Sequence, residues 1–163
     1  MRTGVLDKNA YTMRIAQANP VQLVVINFEL IIDALDGVLE ACRLEDGSAS
    51  TMFCRHLDRA KNGVQQLIDA LDFTIGLSHD FYEIYKYSYK LLNEAYFSLK
   101  PEPAKEVLEL MNILLEGWRD AEKQNISEGQ KDNTSPHVYA GLTYNRSGLA
   151  EFVDEDEGRG FKA

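Results

Sequence analysis

From Asn19 to Cys42 this chain carries more apolar positions than one face of a helix can use, and that surplus limits the folds open to it. The start is well marked. Asn19 is suited to cap with its side-chain oxygen, Pro20 has the φ and the missing N–H of a first helical residue, and Gln22 stands where a capping box places Glu or Gln. Val24, Phe28, Ile31, Leu35, Val38 and Cys42 then recur at alternating spacings of four and three, the seam of a helix packed against neighbours at shallow angles. Beyond the seam, Val25, Ile32 and Leu39 repeat every seven residues on one flank, and Leu23 and Leu30 lie on the other. Two readings stand: a central helix buried by several neighbours, or a helix whose spare surface receives a removable segment. Just upstream, Tyr11 and Ile15 sit in a short polar-apolar strip.

The same periodicity organises the next hundred residues. After a break at Glu45-Asp46-Gly47-Ser48, Phe53, Leu57, Ala60, Val64, Leu67 and Leu71 predict a second helix. Gly76 closes it, Ser78 is the expected N-cap of a third, and Phe81, Tyr85, Ser88, Leu92, Ala95 and Leu99 form that helix's seam. Lys100-Pro101-Glu102-Pro103 punctuates before a fourth, with Ala104, Leu108, Met111, Leu115 and Trp118 facing inward. Strand patterns are absent. The fold class expected is all-α: an antiparallel up-down four-helix bundle over residues 19–125, preceded by an N-terminal cap strip (1–18) and followed by an irregular C-terminal extension (126–163). Tyr82, Tyr89 and Tyr96 add an aromatic row beside the third seam, suited either to the margin of a core or to an edge that is sometimes covered. In the extension, Val138 to Phe152 is more apolar than a solvating tail requires, so docking on the bundle or on another protein stands beside a flexible arm.

Composition and motif content point to binding rather than catalysis. A chain of 163 residues, 45% apolar and 26% charged, suffices for one domain with a real core, and a net charge of −9 weighs against nucleic acid and anionic membrane surfaces. The run Val21 to Phe28 is interrupted by Gln22 and Asn27, far too short for membrane insertion, and no signal-like segment precedes it; the expected location is cytoplasmic. Cys42 and Cys54 are expected as reduced, buried thiols. No Glu has a His three residues later, and His56, His79 and His137 are scattered. Phosphate loops and nucleophile elbows are missing too, so no catalytic residue, cofactor or metal is expected. Asp33, Asp36 and Glu40 read as a solvated face.

Several strings resemble the flagellin-specific export chaperones of the FliS family. Ala10-Tyr11, then Ile15, then Asn19-Pro20 and the apolar run to Glu29 are similar to the family's Ala-Tyr, Ser-Pro and Leu-Tyr-Asp-Gly opening. Leu67 to Asp72, Ile84-Tyr85-Lys86-Tyr87 and Leu114 to Trp118 resemble its later motifs. The departures are Asn19 for Ser, a Tyr-to-Pro spacer one residue short, and Leu30 for the small Gly, which adds volume there. The resemblance implies a cytoplasmic chaperone that binds the C-terminal helical region of flagellin, prevents its premature polymerisation and helps present it to the flagellar type III export apparatus, with a co-chaperone left open. It also implies that Tyr11 and Ile15 cap the free chaperone. Val25, Ile32, Leu71, Ile84, Tyr85, Tyr89 and Leu92 are the candidate client-binding residues, chosen from spare or seam-edge positions rather than from a family motif. An adaptor for some other amphipathic helix is the alternative.

Overall fold

The computed structural model describes residues 8–44 and 49–128. They form five helices: α1 (Lys8–Gln17), α2 (Pro20–Ala41), α3 (Ala49–Asp69), α4 (Leu77–Ser98) and α5 (Glu102–Glu128). Among the described residues there is no strand. The helix α2 packs on both α3 and α5, and α4 packs on the same two, so the four long helices close a ring; α1 lies against α2.

The entry to α2 is built as its sequence indicates. The Asn19 side chain accepts from the Gln22 N–H at 2.9 Å while Gln22 Oε1 accepts from the Asn19 N–H at 3.0 Å, so the box closes in both directions around Pro20. Three expectations need correction. The strip before Asn19 is itself a helix of ten residues, giving five helices rather than four. Ser78 is not a cap: Gly76 already has helical φ and ψ, so the first turn of α4 starts upstream and carries Ser78 inward, fully buried. Cys42 is exposed at the C-cap of α2, where the chain leaves the bundle, and Cys54 is only partly buried; both thiols are free. The last helix runs on to Glu128, past the start assigned to the extension, and Val138 to Phe152 lies outside the described residues.

Burial divides α2 between two apolar clusters. The main core takes Val24, Phe28, Ile31, Leu35 and Val38 together with Val25 and Ile32, because α2 is flanked by α3 and α5 and needs two adjoining inward stripes. Opposite them it meets Leu57, Val64 and Leu67 of α3, Tyr85 and Leu92 of α4, and Val107 and Met111 of α5. Helices α2 and α3 approach closely at Gly63, whose carbonyl accepts from buried Asn27 Nδ2 at 3.1 Å; a Cβ at Gly63 would stand 2.5 Å from Ile31 Cγ1. The second cluster holds Leu23, Ile26 and Leu30 against Ile15 and Ala18.

Candidate functional site

The apolar flank of α2 that the ring leaves outside is covered by α1. Leu23, Ile26 and Leu30 follow at spacings of three and four, one helical stripe, and Ile15 descends onto it until only 3% of its surface is exposed. Leu30, the residue that stands where the FliS pattern has Gly, supplies part of this stripe. Tyr11, one turn before Ile15, packs at the edge. Ile15 is the one buried side chain within α1, so the helix is attached through a narrow apolar contact.

Polar contacts fasten the rim. Glu29 Oε2 accepts from Arg14 Nη1 at 2.7 Å and from the Tyr11 hydroxyl at 3.3 Å, while Oε1 accepts from Arg119 Nη2 of α5 at 3.2 Å. The Arg14 guanidinium also lies 5.1 Å from the Tyr11 ring centre, a cation–π distance. Partial burial, and next the negative charge of Glu29, push the Tyr11 phenol above its ordinary value. The hydrogen bond to Glu29 holds Arg14 still more firmly protonated than usual.

The predicted client residues fall elsewhere. Val25, Ile32, Leu71, Tyr85 and Leu92 are buried in the main core, and Ile84 and Tyr89 pack at its margin. Tyr85 stacks on Phe81 at 5.8 Å and tilts toward Phe28 at 6.4 Å, and its hydroxyl meets no hydrogen-bond partner among the described residues. Burial drives its pKa far upward. Beside this core runs the tyrosine row, each ring partly buried. Lys61 Nζ lies 5.6 Å from the Tyr89 ring and 5.1 Å from Tyr96, and Lys86 Nζ lies 5.6 Å from Tyr82. The two sets lie apart: Tyr11 and Ile15 meet the outer flank of α2, whereas the seven client candidates belong to the bundle core or its α4 edge. Ile26 and the Glu29, Arg14, Arg119 cluster were not singled out from sequence. Ile26 was within reach, three residues after Leu23 and four before Leu30. The ion cluster joins residues 15 and 90 positions apart and leaves no periodic trace.

Residues 7–125 match the family model described as Flagellar protein FliS, a span that takes in α1 and almost all of α5. The chain belongs to the FliS family. FliS is the flagellar export chaperone family, so the groove on α2 and the helix over it lie within the FliS unit and not in an appendage to it. A comparison with curated proteins returns no match. Among the described residues, no helix is long and apolar enough to cross a membrane.

Proposed function

We propose that this FliS protein is a cytoplasmic, non-catalytic export chaperone whose α1 is a removable cap over part of the surface that receives the C-terminal helical region of flagellin. Binding there keeps flagellin from polymerising early and holds it for the flagellar type III export apparatus. The observation that carries this reading is the second apolar cluster, in which one side chain of a ten-residue helix covers a stripe separate from the main core. A partner helix that brings its own apolar stripe can replace α1 without opening the core, and a segment disordered before assembly gains its order on binding. Of the candidate client residues, Ile84 and Tyr89 lie where a partner can reach them; Val25, Ile32, Leu71, Tyr85 and Leu92 back that margin from within.

An antiparallel up-down bundle over residues 19–125 is the arrangement we infer behind the grooves, with the cap before it and the extension, from residue 126, after it. Its support is the order of contacts. Asn27 meets Gly63 while Gly37 meets His56, and Phe81 meets Trp118 while Tyr87 meets Glu106, an order that supports opposite directions for α2 and α3 and for α4 and α5.

Titration calorimetry of the full chain with a C-terminal flagellin segment tests the function. Saturable binding is expected, and Tyr89→Glu should weaken it more than it lowers the thermal midpoint. Failure of the wild-type chain to bind would refute the reading, and equal losses would return Tyr89 to a purely structural place at the core margin.

A further inference from the structure

One carboxylate gathers donors from two helices at the rim of the α1 groove. The Glu29 side chain is 16% exposed, and its two oxygens serve Arg14, Tyr11 and Arg119. The two arginines are about half exposed, so water reaches the cations far more readily than it reaches Glu29. Glu29 is this sheltered while a helix lies on the stripe, so an occupant that covers the stripe and withholds a donor leaves the charge largely out of water, which is costly. When α1 leaves, Oε2 loses both Arg14 and Tyr11 and Arg119 remains on Oε1. The docked α1 therefore displays what a good occupant supplies: an aliphatic side chain on the Leu23, Ile26, Leu30 stripe, with a cation at the neighbouring position of the same helix, as Arg14 neighbours Ile15.

We propose that Glu29 is the specificity-determining residue of this groove: the segment that displaces α1 is an amphipathic helix that sets a Lys or Arg against Glu29 beside the apolar side chain taking the place of Ile15. The inference rests on the reading of α1 as a cap displaced by the client. A competitor with the apolar stripe alone strands the carboxylate, and one with an acidic residue at that point is repelled, so the groove selects by charge as well as by shape.

The test uses the full-length chain carrying Tyr11→Phe and Arg14→Ala, which removes α1's own donors, with and without Glu29→Gln. Each is titrated with the C-terminal flagellin segment and with versions of it in which every Lys or Arg is changed in turn to Gln. One basic position should stand out: its loss weakens binding about tenfold when Glu29 is present and about twofold or less in E29Q. Circular dichroism monitors folding, and Glu29→Asp, which keeps the charge but withdraws it, carries the same comparison should E29Q lose helicity. Saturable binding in which no basic position couples to Glu29 overturns this inference and leaves the cap reading standing. Absence of binding to the wild-type chain and to the donor-less variant overturns both.

Discussion

Replacing Ile15 by Ala isolates the attachment of α1 from the stability of the bundle. Ile15 is nearly fully buried and is the one buried side chain that α1 commits to the stripe of Leu23, Ile26 and Leu30. The substitution removes three carbons, worth about 2.5 kcal/mol at about 0.8 kcal/mol per methylene. This transfer value is the minimum, and any cavity left beneath α1 adds to it. At about 1.4 kcal/mol per decade the minimum shifts the docking equilibrium of α1 about 60-fold toward the open form. Hydrogen exchange reads it directly: amides of α1 should lose protection by about that factor, or to the limit set by an undocked segment, while amides of α2 to α5 at main-core positions keep theirs. Flagellin affinity should rise by no more than the same factor, since a competent state that is scarce in the wild type becomes common. Unchanged exchange in α1 would refute the idea that Ile15 holds the cap. A loss spreading equally through α3 and α4 would refute the separation of the two clusters, and an unaltered flagellin affinity would remove α1 from competition with the client.

Other perturbations probe the bundle itself. Gly63→Ala places a Cβ 2.5 Å from Ile31 Cγ1 and should destabilise the protein by about 1–3 kcal/mol in urea titrations. Leu99 is the non-glycine residue with positive φ among those described, at 55°, and is mostly exposed, so Leu99→Gly should gain about 1 kcal/mol and raise the thermal midpoint. Tyr85→Phe deletes a buried hydroxyl that has no partner among the described residues and should be neutral or stabilising by about 1 kcal/mol near pH 8. The pH dependence has a definite sign: the Tyr85 pKa is raised on folding above its ordinary 10.0, so its contribution is fully present below about pH 10 and declines as the pH climbs beyond that toward the folded value. Urea midpoints of wild type and Y85F should therefore diverge further in the variant's favour above about pH 10; parallel curves would contradict the burial of the phenol.

Helix seams were legible because a four-three apolar rhythm reports one buried face, and the two flanks of α2 were legible as surplus. What covers each flank was not. The Val25 and Ile32 row is buried by the ordinary closure of the ring, whereas Leu23 and Leu30 are buried by α1, and nothing in the two rows tells these fates apart. The helix α1 itself leaves a faint trace, since ten largely polar residues with a single buried side chain set up no recurring stripe. Ser78 misled because a residue suited to capping marks a helix start only when the preceding backbone is extended, and Gly76 is already helical. Choosing client residues from seam-edge positions drew five of the seven into the core, for a heptad offset marks proximity to a seam without saying on which side of it a neighbouring helix lies.

The link between α1 and α2 is just Ala18 and Asn19, so α1, as the proposed cap, would be an intramolecular rival of a partner for the same stripe. A short tether of this kind presents its ligand at an effective concentration on the order of millimolar, and dilution does not reduce it. A free peptide with a similar apolar stripe, present at micromolar levels, is outcompeted by α1 even when its intrinsic affinity is the same. Under the proposals above, a client exceeds that standing local concentration by further contacts, the cation set against Glu29 being one and the α4 edge another. The same tether acts on departure. In the proposed cycle, departure of the client lets α1 cover the stripe of Leu23, Ile26 and Leu30 again from within the molecule, so the unladen chaperone would not leave bare apolar surface for a second copy to find.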